Sequence, residues 1–199
     1  MKHIALALSI VAHPFLLPLY VLFITFHAGT VFSLVPEYTQ LVAYVLTVTG
    51  VILLPLLSLP LLKRFRLIES FELKEKHDRI FPVFVTVVGA FLAFYFSRNI
   101  PYADIVRQLY LVLVVLLAGF MLLSIRWKVS MHMTAIGALC AFVFVLGVKY
   151  AGNVGDLLIC LILAAGVLGT CRLYLKRHTP GQVYGGFVYG VALVLALLG

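Results

Sequence analysis

Long stretches of apolar, uncharged residues recur along this chain of 199 residues, and they constrain its fold more than any other feature. A bilayer core needs about 20 such residues per crossing helix. By that ruler, spans are expected near 4–26, 41–62, 80–96, 105–125, 130–149, 154–175 and 183–198. The third and last are short, so the count is six to seven, with one half-buried element at the lower figure. Composition points the same way: 64% of residues are hydrophobic and 11% charged, against roughly 25% charged in a typical soluble domain. A mean hydropathy of +1.16 leaves too little polar surface to cover a water-exposed globule. A soluble enzyme, a disordered tail and a nucleic-acid reader are thereby excluded. The expected fold is all-α, a polytopic transmembrane helical bundle of six to seven helices forming a single integral membrane domain over residues 1–199.

His13, Pro14 and Pro18 interrupt the first apolar run and predict a kink there. That run is too long for the core of a cleaved signal peptide. The cysteines, Cys140, Cys160 and Cys171, lie singly in apolar segments, without metal-ligand spacing or disulfide arithmetic, and are expected to be small core packers. No fixed-period repeat and no long linker divides the chain.

The net charge of +8 comes without an aromatic-interleaved basic patch, so it points to membrane topology and anionic lipid rather than to nucleic acid. If every segment crosses, twelve of the fifteen Lys and Arg residues fall on one face, and Arg98, Arg107 and Lys149 on the other. The positive-inside bias predicts that the crowded face is cytoplasmic. The longest loop, 63–79, is the most charged, and its Leu67, Ile68, Phe71 and Leu73 suggest a partly interfacial helix.

Three polar clusters share the basic face, because two spans separate each from the next. The first is Lys74-x-Lys76-His77-Asp78-Arg79-Ile80-Phe81-Pro82, the second Lys128-Val129-Ser130-Met131-His132, and the third Arg172-x5-His178-x3-Gln182. Lys76, Arg79, Lys128 and Arg172 are cations suited to phosphate oxygens, Arg through its planar fork. Ser130 opens a predicted helix, where free N–H groups and the dipole favour an anion. His132 and His178 can exchange protons or attack phosphorus near neutral pH. At a water–lipid boundary the natural substrate for such parts is a phosphate carried on a lipid.

Structural readings stand beside these. Basic loop residues signal orientation, and a histidine at a helix end is commonly a cap. Thr179-Pro180-Gly181-Gln182 has the form of a capping box. Gly186-x3-Gly190 is a helix-packing motif. His13 suits either a lipid-headgroup pocket or a structural hydrogen bond.

The order and spacing of the clusters resemble the type 2 phosphatidic acid phosphatase superfamily. Its signatures run Lys-x6-Arg-Pro, Pro-Ser-Gly-His and Ser-Arg-x5-His-x3-Asp. The third signature matches best, keeping Arg172, His178 and both intervals. The second keeps Ser130-x-His132, with Val129 for proline and Met131 for glycine. The first is loosest: Ile80 and Phe81 separate Arg79 from Pro82, and Lys76 stands three before Arg79. The likeness covers residues 74–190 and leaves the two N-terminal helices of 1–62 outside it. It implies that His178 attacks phosphorus and becomes a phosphohistidine, and that His132 protonates the leaving oxygen and then helps activate water. Arg172, Arg79 and Lys76 would hold the non-bridging oxygens, with Lys128 beside them, and Ser130 would complete the cradle through its hydroxyl and N–H.

Family members need no metal, so no cofactor is expected. Gln182 stands where the family has aspartate; it can orient His178 but brings no negative charge, unless Asp78 or Glu75 supplies one. The implied activity is hydrolysis of a lipid-linked phosphate monoester or diphosphate, such as phosphatidic acid, phosphatidylglycerol phosphate, a polyprenyl (di)phosphate or a lipid A phosphate. The partners would be that lipid phosphate and membrane lipids, with no nucleic acid, in a bacterial inner membrane. Relatives that work on the periplasmic side set family habit against the charge bias. The alternative is a catalytically silent relative that binds anionic lipid or scaffolds a membrane complex.

Overall fold

A computed structural model describes residues 2–70 and 77–199, and the described chain is all-α. Six of its helices are long and apolar enough to cross a membrane, which makes this a multi-pass membrane protein. Phe71 and Leu73 of the expected interfacial stripe lie outside the described residues, as do Lys74, Glu75 and Lys76. The described residues form two compact units, 35–128 and a second made of 1–34 with 129–199.

In the unit 35–128, α3 (Glu37–Leu46) and α4 (Leu54–Arg64) are joined by a π-helical stretch, Thr47–Leu53, into one span of 28 residues. Pro55 supplies the reason. A proline lacks the N–H that would close the preceding turn, and its ring crowds the carbonyl four residues back. The helix widens just ahead of it, and the Leu54 N–H reaches back five residues to the Thr49 carbonyl. α5 (Ile80–Phe96) crosses this stretch where Gly50 meets Gly89 backbone to backbone; a Cβ on Gly50 would lie 2.7 Å from the Gly89 oxygen. α6 (Asp104–Arg126) is tied in by Tyr110, whose hydroxyl donates to the Ala43 carbonyl at 2.7 Å and pairs with the Thr47 hydroxyl at 2.9 Å.

In the other unit, the first apolar run is broken in two, α1 (Lys2–Val11) and α2 (Leu17–His27). The kink expected from Pro14 is a full interruption, and Pro18 sits in the first turn of α2, where its missing N–H costs nothing. The element that falls short of a long continuous span is therefore the first, not the third or the last. α2 and the short turn after it accompany α7 (Met131–Lys149) to its far end, where Phe32 stacks edge-on against Tyr150 with centroids 4.6 Å apart.

α8 (Gly155–Tyr174) returns the chain, and α9 (Pro180–Leu198) runs parallel to α7. The α7–α9 contact is the most extensive between helices here, and Gly186 and Gly190 are the reason. A Cβ on Gly186 would lie 2.7 Å from the Ser130 carbonyl oxygen, and one on Gly190 would collide with the Thr134 carbonyl. The helix-packing reading of Gly186-x3-Gly190 holds. Parallel α7 and α9 with antiparallel α8 place the start of α7, the end of α8 and the start of α9 at one end of the unit.

Candidate functional site

The strap from α8 to α9 explains the spacing of the third cluster. α8 ends with Lys176 in the left-handed region, φ 51°. The Lys176 N–H closes on the Leu173 carbonyl at 2.9 Å and the Arg177 N–H on the Arg172 carbonyl at 3.2 Å. This double closure is a Schellman motif with Arg172 as the first residue closed upon. The next helix then starts at once. His178 precedes the N-cap Thr179, Pro180 is the first helical residue, and Gln182 is the third, completing a capping box. The intervals Arg172-x5-His178 and His178-x3-Gln182 are thus one helix stop followed directly by one helix start.

Gln182 carries both readings that its position allowed. Its Oε1 accepts the Thr179 N–H at 3.1 Å and lies 3.3 Å from His178 Nδ1. A backbone N–H can only donate, so the side-chain atom at this point is the oxygen, and His178 Nδ1 is the donor to it. The lone pair of the neutral ring is then at Nε2. Gln182 fixes the tautomer of His178 without a charge, while His178 itself is buried, 9% exposed. The Gln182 carbonyl also accepts the Ser130 N–H at 3.2 Å, which pins the start of α7 to the first turn of α9. That corrects one expectation: the Ser130 N–H is engaged between helices and does not face an anion. The Ser130 hydroxyl differs, for it is fully buried and makes no hydrogen bond among the described residues, as does the Thr134 hydroxyl one turn later. A buried hydroxyl left unmade costs roughly 1–3 kcal/mol.

His132 and Arg172 meet at a residue that sequence reasoning missed. Ser9, in the last turn of α1, is buried; its carbonyl accepts from His132 Nε2 at 3.2 Å, and its hydroxyl oxygen lies 3.5 Å from an Arg172 terminal nitrogen. The same hydroxyl donates to the Ala5 carbonyl at 2.8 Å, leaving its oxygen as an acceptor for the guanidinium. His13, in the break between α1 and α2, lies edge-on to His132 with ring centroids 5.6 Å apart. His132 feels the charges of Arg172, His13 and His178, and His13 feels that of Arg172. Nothing in the sequence announces Ser9, since its partners are more than a hundred residues away. His13 was visible as an ionisable group in an apolar run, but not its neighbours.

Of the expected site residues, this unit brings together Ser130, His132, Arg172, His178 and Gln182. Arg79 and Lys128 belong to the other unit, and Lys76 is outside the described residues. Asp78, a candidate replacement for the missing acid, also belongs to the other unit; it is buried there and accepts the Glu69 N–H at 2.9 Å. Glu75, the other candidate, is not described. Among the described residues no group of three or more His, Cys, Asp or Glu is placed to hold a metal ion.

Comparison of the chain with protein-family models, with curated proteins and with solved structures returns no match. What defines the class of protein is therefore the fold itself, an all-α multi-pass membrane protein, with a polar cluster of three imidazoles and a guanidinium at one end of one unit.

Proposed function

We propose that this chain is a membrane phosphatase that hydrolyses a lipid-linked phosphate monoester or diphosphate through a phosphohistidine. The observation that carries the proposal is the tautomer of His178: with Nδ1 donating to Gln182, the nucleophilic lone pair of the neutral ring is at Nε2. His178 Nε2 would attack phosphorus as the phosphorus–oxygen bond to the lipid breaks. His132 donates an N–H to the Ser9 carbonyl, and in its imidazolium form it would give that proton to the leaving oxygen. Arg172 would hold the non-bridging oxygens and neutralise charge in the transition state. Water, activated by His132, would then release phosphate from His178. The buried Ser130 hydroxyl supports the reading, because an anion would give it the partner it lacks.

Anionic-lipid binding without turnover is the competing reading, and it has its own observation: the acceptor on His178 Nδ1 is an uncharged amide. Release of inorganic phosphate by the purified protein in detergent separates the two. The phosphatase reading expects release that falls at least about 10³-fold in His178→Ala; equal background release from both proteins would overturn it and favour the binding reading. In a bacterial inner membrane, the basic bias favours a site that faces the cytoplasm. A cysteine placed at Lys63 and labelled from outside intact cells would overturn that orientation.

A further inference from the structure

His13 is unexplained by the mechanism above. It is half-buried, its ring stands beside His132, and it lies in the charge of Arg172. Its own backbone fixes what it can do. The Phe15 N–H donates to His13 Nδ1 at 3.3 Å, so in the neutral ring the proton is at Nε2 and that nitrogen is a donor. The side chain offers an N–H to whatever anion reaches it, whether the ring is neutral or charged. The last turn of α1 holds this arrangement together, because Ser9 engages both His132 and Arg172.

The packing sets the order of the imidazoles. His178 leads into α9, which packs on α7. His13 joins α1, which packs on α8, to α2, which packs on α7, and neither α1 nor α2 packs extensively on α9. His132, on the first turn of α7, lies within the field of both other histidines. His132 therefore adjoins His13 directly and lies in the field of His178.

We propose that His13 is a further substrate-binding residue of this site, on the leaving-group side, and that it selects a lipid diphosphate over a lipid monophosphate. The inference rests on the phosphatase reading and deepens it. In an in-line displacement the nucleophile and the leaving oxygen lie on opposite sides of phosphorus. With His178 attacking and His132 at the leaving oxygen, His13 meets the atom beyond that oxygen. In a monophosphate ester this atom is carbon, which gives an N–H nothing to bond. In a diphosphate it is the second phosphorus, whose non-bridging oxygens are charged acceptors.

The step balances without any further reactant. The bond from His178 Nε2 to the terminal phosphorus forms as the bond from that phosphorus to the bridging oxygen breaks; the electron pair stays on the oxygen, which takes a proton from His132. The leaving group is the lipid monophosphate, held by the His13 N–H. Water then attacks the phosphohistidine and gives its proton to His132; inorganic phosphate departs and both His178 and His132 are restored.

The test compares farnesyl diphosphate with farnesyl monophosphate on the purified full-length protein in detergent, reading kcat/KM for each. Wild type is expected to prefer the diphosphate by about tenfold or more, and His13→Ala to lose roughly that factor on the diphosphate alone, as expected when a hydrogen bond to a charged group is removed. His13→Gln, which keeps an N–H donor, is expected to restore part of the preference. A variant that merely folds poorly lowers both rates and leaves the ratio intact, so an unchanged ratio in His13→Ala overturns the role of His13 while leaving the phosphatase standing. Should wild type release phosphate from neither substrate, the phosphatase reading fails, and binding of the non-hydrolysable farnesyl methylenediphosphonate against farnesyl phosphonate decides. A preference for the former that His13→Ala abolishes keeps His13 as a diphosphate-binding residue, and equal binding in both proteins removes it.

Discussion

The two compact units of this protein face the same problem, polar groups within apolar helices, and solve it differently. In 35–128 the polar side chains serve the helices themselves. The Thr47 and Tyr110 hydroxyls close on each other and on the Ala43 carbonyl, the Thr39 hydroxyl caps the Pro101 carbonyl at 3.0 Å, and Asp78 holds the Glu69 N–H. Ser124 is the one buried hydroxyl there without a partner among the described residues. In the other unit, Ser33 lacks a partner singly near the far end of α7, whereas Ser130 and Thr134 keep unmade hydroxyls one turn apart beside an array of imidazoles and a guanidinium. In an apolar medium polar groups tend to bond one another, so unmet capacity gathered next to charge-bearing side chains is the mark of a site awaiting a ligand. The difference teaches that function should be sought in one unit and that changes to the other should register as stability.

The largest effect expected from that contrast is on Arg172. Arg172→Ala should lower phosphate release by about 10³-fold, the scale for an arginine that stabilises a transferring phosphoryl group. Arg172→Lys should recover little, since an ammonium lacks the planar fork. Rates of phosphate release measured at matched amounts of folded protein check this. Near-normal turnover in Arg172→Ala would show that the surplus polar capacity of this unit is not a phosphate site.

Next in size is the packing that holds the site. Gly190→Leu would drive a side chain into the Thr134 carbonyl, and no rotamer avoids a backbone atom. The expected cost is about 3 kcal/mol or more, at the upper end of overpacking penalties, read as a lower thermal midpoint in detergent. Because the start of α7 is held to α9 by the Ser130–Gln182 backbone bond, activity should fall together with stability.

How much of this was legible in the sequence depends on range. Local patterns were readable. The capping box around Gln182, the small-residue motif at Gly186 and Gly190, and the spans of α5 to α9 follow from spacing and apolar length alone. The break at Pro14 was announced by its prolines, although the sequence suggested a kink and the chain makes two helices. Pro55 was equally visible, yet the widened turn before it was not foreseen, because a proline can kink, break or widen a helix and the choice depends on what packs there, in this case Gly89 against Gly50. The contacts of Ser9 were not legible at all. A serine in an apolar run has no periodic signature, and only the folded unit brings it to His132 and Arg172. Nor did spacing reveal that the Ser130 N–H is committed to Gln182.

A smaller effect tests Gln182 as the uncharged substitute for a carboxylate. Gln182→Ala removes the acceptor from His178 Nδ1 and from the Thr179 N–H together, with an expected loss of about 1–3 kcal/mol divided between transition-state and helix stability. Gln182→Glu keeps the reach and adds the charge, so it should raise turnover above wild type if orientation of His178 already limits the rate. Lower turnover in Gln182→Glu with unchanged stability would mean that the site requires an uncharged acceptor.

The smallest effect belongs to the other unit, and it closes the comparison. Tyr110→Phe deletes the hydroxyl that bridges α6 to α3 and the π-helical stretch while keeping the ring. The Ala43 carbonyl retains the helical Thr47 N–H, and the Thr47 hydroxyl retains backbone carbonyls within its own helix as alternative acceptors. Neither partner is stranded, so the cost should be that of an average hydrogen bond between membrane helices, about 0.6 kcal/mol and no more than about 1.7. A thermal midpoint lowered by a few degrees with phosphate release within about twofold of wild type is the expected outcome. If Tyr110→Phe instead abolished turnover at unchanged stability, the polar groups of 35–128 would be part of the chemistry, and the division of labour between the two units would have to be redrawn.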